Sequence, residues 1–105
     1  MNPYETADRV AERTVEAERA VLGAILISPE RFDDAVEVLT ADHWFRLAHR
    51  LIWQAMAKAS AAGQTIDPLM LLGAMSPKDA EEVGSAYLFG LGDGGVIVAE
   101  TLAAD

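Results

Sequence analysis

Three times beyond the first few residues of this chain a short polar side chain is followed directly by proline: Ser28-Pro29, Asp67-Pro68 and Ser76-Pro77. Ser and Asp satisfy the free N–H groups at the start of a helix, and proline suits the first helical position, where its missing N–H costs nothing. Each pair therefore predicts a helix start, and together they divide the chain into short helices. Behind Ser28, Phe32, Ala35, Val36 and Leu39 recur at helical steps. Behind Asp67 comes the apolar run "LMLL", in which Gly73 weakens the helix interior by about 1 kcal/mol relative to alanine.

The remaining segments follow the same period. In "TVEAERAVLGAILIS", Ala17, Val21, Leu22, Ala24 and Ile25 fall on helical spacings, with Thr14 as the expected N-cap and Glu16 and Glu18 favouring the positive end of the dipole. Thr40 is expected to cap a brief turn over "ADHWF". A longer helix is expected from about Leu47 to Ala62, with Leu47, Leu51, Ile52, Ala55, Met56 and Ala59 inward and Gly63 as its terminator. "VGSAYLFGL" reads as a short helix bearing Tyr87, Leu88 and Leu91, broken at "GDGG"; "VIVAETLAAD" reads as helix, or as the start of a strand at its β-branched run. The expected fold is all-α: one small orthogonal bundle of about five or six short helices over residues 14–105, preceded by a polar arm or loosely docked helix over residues 1–13.

Composition narrows the chemistry. The 105 residues suffice for one core, and the 51% apolar and 24% charged fractions are those of a globular protein. Cysteine is absent, so disulfides, thiolate metal sites and cysteine nucleophiles are excluded. Neither a secretory leader nor a membrane span is legible, and a cytoplasmic location is the expectation. A net charge of −9 repels phosphate backbones, so DNA is expected to be approached only indirectly.

The candidate chemical groups read as structural before they read as catalytic. Asp42, His43 and His49 invite a metal or acid–base reading, but the histidine spacing lacks the i, i+4 geometry of a helical pair and no third ligand supports it. The carboxylates Asp33, Asp34, Glu37, Glu81 and Glu82 read as a solvated acidic face. Trp44, Phe45 and Trp53 read as core or core edge. Arg46 and Arg50 read as the wet edge of a packing helix, or alternatively as a local patch for nucleic acid. No catalytic residue, cofactor site or metal site is expected.

Glu18 ahead of "VLG" at 21–23, an aromatic turn ahead of Ala48-His49, Gly63 followed by Ile66-Asp67, and Tyr87-Leu88 behind a glycine form an ordered set over roughly residues 14–91. In order and spacing this set resembles the N-terminal domain of the bacterial replicative DNA helicase, the DnaB family. The chain departs from that pattern at Ser85, where a second glycine is usual, and after Leu91. No G-x-x-x-x-G-K-[ST] phosphate loop occurs; Gly92, Gly94 and Gly95 lack the lysine.

The resemblance implies a non-catalytic module of protein association in DNA replication. In the complete helicase such a domain builds the collar of a hexameric ring and docks primase. Primase, the replicative helicase, or both are the implied partners, with a homo-oligomer allowed. His49 is implied to be a hydrogen-bonded structural residue, and Tyr87 the candidate partner contact, unless it only caps the core with its hydroxyl in water. The chain reads as a helicase fragment or as a stand-alone relative. The alternative function is a small helical nucleic-acid-binding protein using Arg46 and Arg50.

Overall fold

Caps and terminators set most of the helix boundaries. The computed structural model describes the backbone of residues 3–92 and the side chains of residues 11–92, and within them the chain is helical with no strand: α1 (Pro3–Ile27), α2 (Arg31–Ala35), a 3-10 turn (Ala41–His43), α3 (Leu47–Ala61), α4 (Pro68–Ala74), α5 (Pro77–Val83) and α6 (Ser85–Gly92). An all-α fold of short helices is what the cap signals predict. The expected helix or strand over "VIVAETLAAD" lies outside the described residues.

At α4 and α5 the capping chemistry operates as the sequence implies. The Asp67 carboxylate accepts from the Met70 N–H at 3.0 Å, and the Ser76 hydroxyl from the Asp79 N–H at 3.1 Å. The end of α3 is a Schellman motif: Gln64 N–H donates to Ala59 O at 2.8 Å and Gly63 N–H to Ser60 O at 3.1 Å. Gly63 takes a φ of 70°, and Gly84, between α5 and α6, takes 83°; both lie where an L side chain is strained.

Two starts differ from expectation. Thr14 is not an N-cap, because the helix already runs from Pro3. The stretch between Pro3 and Gly23 contains no glycine or proline and is rich in Ala, Glu and Arg, all strong helix formers, so nothing stops the helix before Thr14. Glu16 and Glu18 consequently lie in mid-helix, far from the dipole's positive end. Of the segment expected as an arm or loosely docked helix over residues 1–13, residues 3–13 are backbone of α1, while how the side chains of residues 1–10 sit lies outside the described residues. Ser28 also caps no α-helix: its carbonyl accepts from Arg31 N–H at 2.9 Å in a turn, and the helix proper begins only at Arg31 and ends at Ala35. Val36 is consequently exposed, while Leu39 is half-buried.

Leu22, Ile25 and Leu26 of α1 pack with Ile52, Met56 and Ala59 of α3, Leu71 of α4, Val83 of α5, and Leu88 and Leu91 of α6. Phe32, Trp53 and Trp44 form a row of tilted aromatic rings in this core, with centroids 4.8 Å apart for the first pair and 5.3 Å for the second. Helices α1 and α6 approach so closely that a Cβ on Gly23 would lie 3.1 Å from the Leu91 carbonyl. The inward faces are rotated slightly from those expected: Ala17 and Val21 of α1 and Leu47 of α3 face out, and Glu18 and His49 face in.

Candidate functional site

A carboxylate and an imidazole inside the core require partners, since unpaired polar groups there cost several kcal/mol. Glu18 lies four residues before Leu22 on the buried stripe of α1, which directs its side chain at the start of α3. The chain enters α3 with no side-chain cap of its own at Arg46. Glu18 supplies the acceptors: one carboxylate oxygen takes the Phe45 N–H, and the other takes the Arg46 N–H at 3.3 Å and the His49 ring at 2.9 Å. A negative charge there also suits the positive end of the α3 dipole.

The hydrogen bonds fix the state of His49. A carboxylate only accepts, so Nδ1 carries the hydrogen it gives to Glu18, and Nε2 is left to accept the Tyr87 O–H at 2.6 Å. Burial, outweighing the attraction of Glu18, holds the imidazole below its ordinary value near 6.5, and the Arg46 and Arg19 charges push the same way. Burial raises the Tyr87 phenol above its ordinary 10.0, against the opposing pull of Arg46 and Arg19. The Tyr87 ring lies nearly parallel to His49, 20° between planes and 5.8 Å between centroids, while the Arg46 guanidinium sits 4.7 Å from the Tyr87 ring centre.

Carboxylate, imidazole and hydroxyl in sequence have the order of a nucleophilic triad, but not its chemistry. The terminal hydroxyl is a phenol made harder to ionise by burial, and its hydrogen is already given to His49. A shallow groove of about 250 Å³ runs beside the relay, lined by Thr14, Ala17, Glu18, Val21, Leu39, His43 and Trp44, and neither His49 nor Tyr87 opens into it. The arrangement ties α1, α3 and α6 together, and no reacting atom is presented to a substrate.

The other candidates divide between structure and solvent. His43 closes the turn after Leu39, its Nδ1 accepting the Thr40 N–H at 2.9 Å, and no grouping of three metal-binding side chains occurs among the described residues. Asp42, Asp33, Asp34, Glu37, Glu81 and Glu82 are exposed. Trp44 and Trp53 are core, but Phe45, expected at the core or its edge, is 62% exposed, with its backbone N–H held by Glu18. Arg50 turns back to give a hydrogen to the Trp44 carbonyl at 3.1 Å, and Arg46 lies over Tyr87. The Tyr87 hydroxyl ends on His49 rather than in water. What sequence reasoning missed is the part played by Glu18; the available signal was a carboxylate in step with Leu22 and Ile25 on one helix face.

No helix among the described residues is long and apolar enough to cross a membrane. The model of the DnaB-like helicase N terminal domain matches residues 10–103. The replicative DNA helicase DnaC of Bacillus subtilis (strain 168) is 37% identical over 83 residues, 77% of this chain and 18% of the relative. The replicative DNA helicase DnaB of Treponema pallidum (strain Nichols) is 37% identical over 95 residues, 88% of this chain and 22% of the relative. The DnaB of Geobacillus stearothermophilus is 32% identical over 89 residues, 83% of this chain and 20% of the relative. The chain thus spans about a fifth of these relatives, over their N-terminal domain and not their ATPase. With the relay built from Glu18, His49 and Tyr87, residues of the motifs that carry the resemblance, and with the match running over almost its whole length, the chain belongs to the DnaB-like helicase N-terminal domain family.

Proposed function

We propose that this domain is a non-catalytic docking and oligomerisation module of DNA replication, contributing to a helicase collar and receiving primase, in the cytoplasm. The observation that carries this reading is that Glu18, His49 and Tyr87 direct their hydrogen bonds at one another and at the start of α3. Side chains engaged in this way hold three helices in register, which is the requirement of a surface that partners must recognise, and they leave no group free for chemistry. Tyr87 serves as a partner contact through its half-buried ring beneath Arg46, since its hydroxyl is engaged inside.

The test is size-exclusion chromatography with light scattering, on the chain alone and mixed with the primase and helicase of the same host. Stable co-elution with either supports the reading. A chain that remains monomeric and ignores both removes its main support.

A further inference from the structure

His49 is wholly buried with both ring nitrogens engaged, one toward α1 and the other toward α6. The two contacts differ in what a proton does to them. Nδ1 already donates to the Glu18 carboxylate at 2.9 Å, and a positive charge on the ring strengthens that bond. Nε2 accepts from the Tyr87 hydroxyl at 2.6 Å only while it carries no hydrogen. A proton taken up there from solvent sets two donors against each other.

The phenol can meet that conflict by turning its hydrogen away and accepting instead. Among the described residues, however, the hydroxyl bonds only to His49, so the displaced hydrogen has no acceptor inside the fold. The surrounding charges divide in the same sense. From α1, Glu18 favours a charged imidazole, while Arg19, paired with Glu16, opposes it. From α3, Arg46 opposes it, with its guanidinium 4.7 Å from the Tyr87 ring centre. Helix α6 brings Tyr87 itself, and the residue closing the 3-10 turn is the uncharged Trp44, edge-on to the imidazole at 6.4 Å.

Helix α6 does not depend on this bond for its place. Leu88 and Leu91 are buried in the core, whereas the Tyr87 ring is half-buried at its edge. The ring can leave while the helix stays.

We propose that His49 is a proton-operated latch on Tyr87: when the imidazole becomes charged, its bond to Glu18 holds α1 against α3, and the Tyr87 side chain swings out into solvent from an α6 that remains docked. A conflict of two donors beside a cation expels the phenol, not the mere loss of a bond, so a phenylalanine at this position stays in. Burial, helped by Arg46 and Arg19, keeps the imidazole neutral to below its ordinary 6.5, so the latch is closed at neutral pH and opens on the acid side. The latch lies beneath the partner contact proposed above, yet it belongs to the domain alone and holds or fails without a partner.

The test is a pH titration of the intact chain by NMR, following the His49 ring nitrogens, the Tyr87 ring protons and the backbone amides. Nε2 is expected to gain its hydrogen at a midpoint below pH 6.5, and the cross-relaxation between the His49 and Tyr87 rings to be lost at that same midpoint. The amides of Leu88 and Leu91 should keep their protection from hydrogen exchange throughout. In His49→Gln, whose side chain does not titrate, the Tyr87 signals should show no step in this range. If that variant fails to fold, Arg46→Gln, at an exposed side chain, serves instead: with one opposing cation removed, both midpoints should move together to higher pH. Persistent ring contact after His49 is charged, no protonation of His49 while the chain is folded, loss of Leu88 and Leu91 protection at the same pH, a Tyr87 step that survives in His49→Gln, or midpoints that part in Arg46→Gln would each overturn it.

Discussion

Tyr87 connects local chemistry to the stability of the domain. Replacing it with phenylalanine keeps the ring under Arg46 but leaves His49 Nε2, wholly buried, without its donor. A loss of about 1–3 kcal/mol is expected in urea unfolding, the usual effect of orphaning a buried acceptor. Glu18→Ala is expected to cost more, because it leaves the His49 Nδ1–H and the Phe45 and Arg46 N–H groups without their acceptor. The pH response has a fixed sign. Burial lowers the His49 value, so below about pH 6.5 the unfolded chain takes up a proton that the folded chain resists. Stability should therefore be complete above that pH and decline as pH falls through the His49 value in the folded chain. Tyr87, with its value raised, predicts the opposite limb, stability declining as pH rises beyond about 10. Thermal melts of wild type, His49→Gln and Tyr87→Phe across this range check both: the acid limb should shrink in the first variant and the alkaline limb in the second, and an unchanged limb would exclude that residue as its source.

At the scale of elements, caps and terminators are the separable parts. Asp67→Ala and Ser76→Ala should each cost about 1 kcal/mol by removing the acceptor of one helix-start N–H. Gly63→Ala should also destabilise, by about 1 kcal/mol, because its φ of 70° suits glycine, although an added Cβ would meet only open space. Denaturant midpoints of the three variants measure these terms. The features so tested are also those most legible in the sequence, because a cap and its helix lie within three residues of each other. The start of α1 carries the same kind of signal, Asn2-Pro3 ahead of Ala, Glu and Arg residues that give no stop before Thr14, but the polar character of the segment makes it read as an arm. The Ser28 signal misled because a Ser-Pro pair also begins a plain turn, and here the Ser28 carbonyl is used instead. The relay was legible only as motif letters, since its bonds join residues 31 and 38 apart in sequence and only folding brings them together.

For the whole molecule, the inside and the outside of the domain carry different parts of the account. Inside, Glu18, His49 and Tyr87 fix how α1, α3 and α6 meet; outside, those helices display the surface to which the proposed partners would dock. Such a division predicts that a change confined to the relay's hydrogen bonds alters stability far more than docking. The direct measurement is calorimetric titration of the host's primase into wild type and into Tyr87→Phe, at a temperature where both are folded. We expect binding to the wild type and an affinity for the variant within about threefold of it, less than 1 kcal/mol, alongside the stability loss given above. Absence of binding to the wild type, or its abolition by Tyr87→Phe with the amide spectrum still folded, would contradict it.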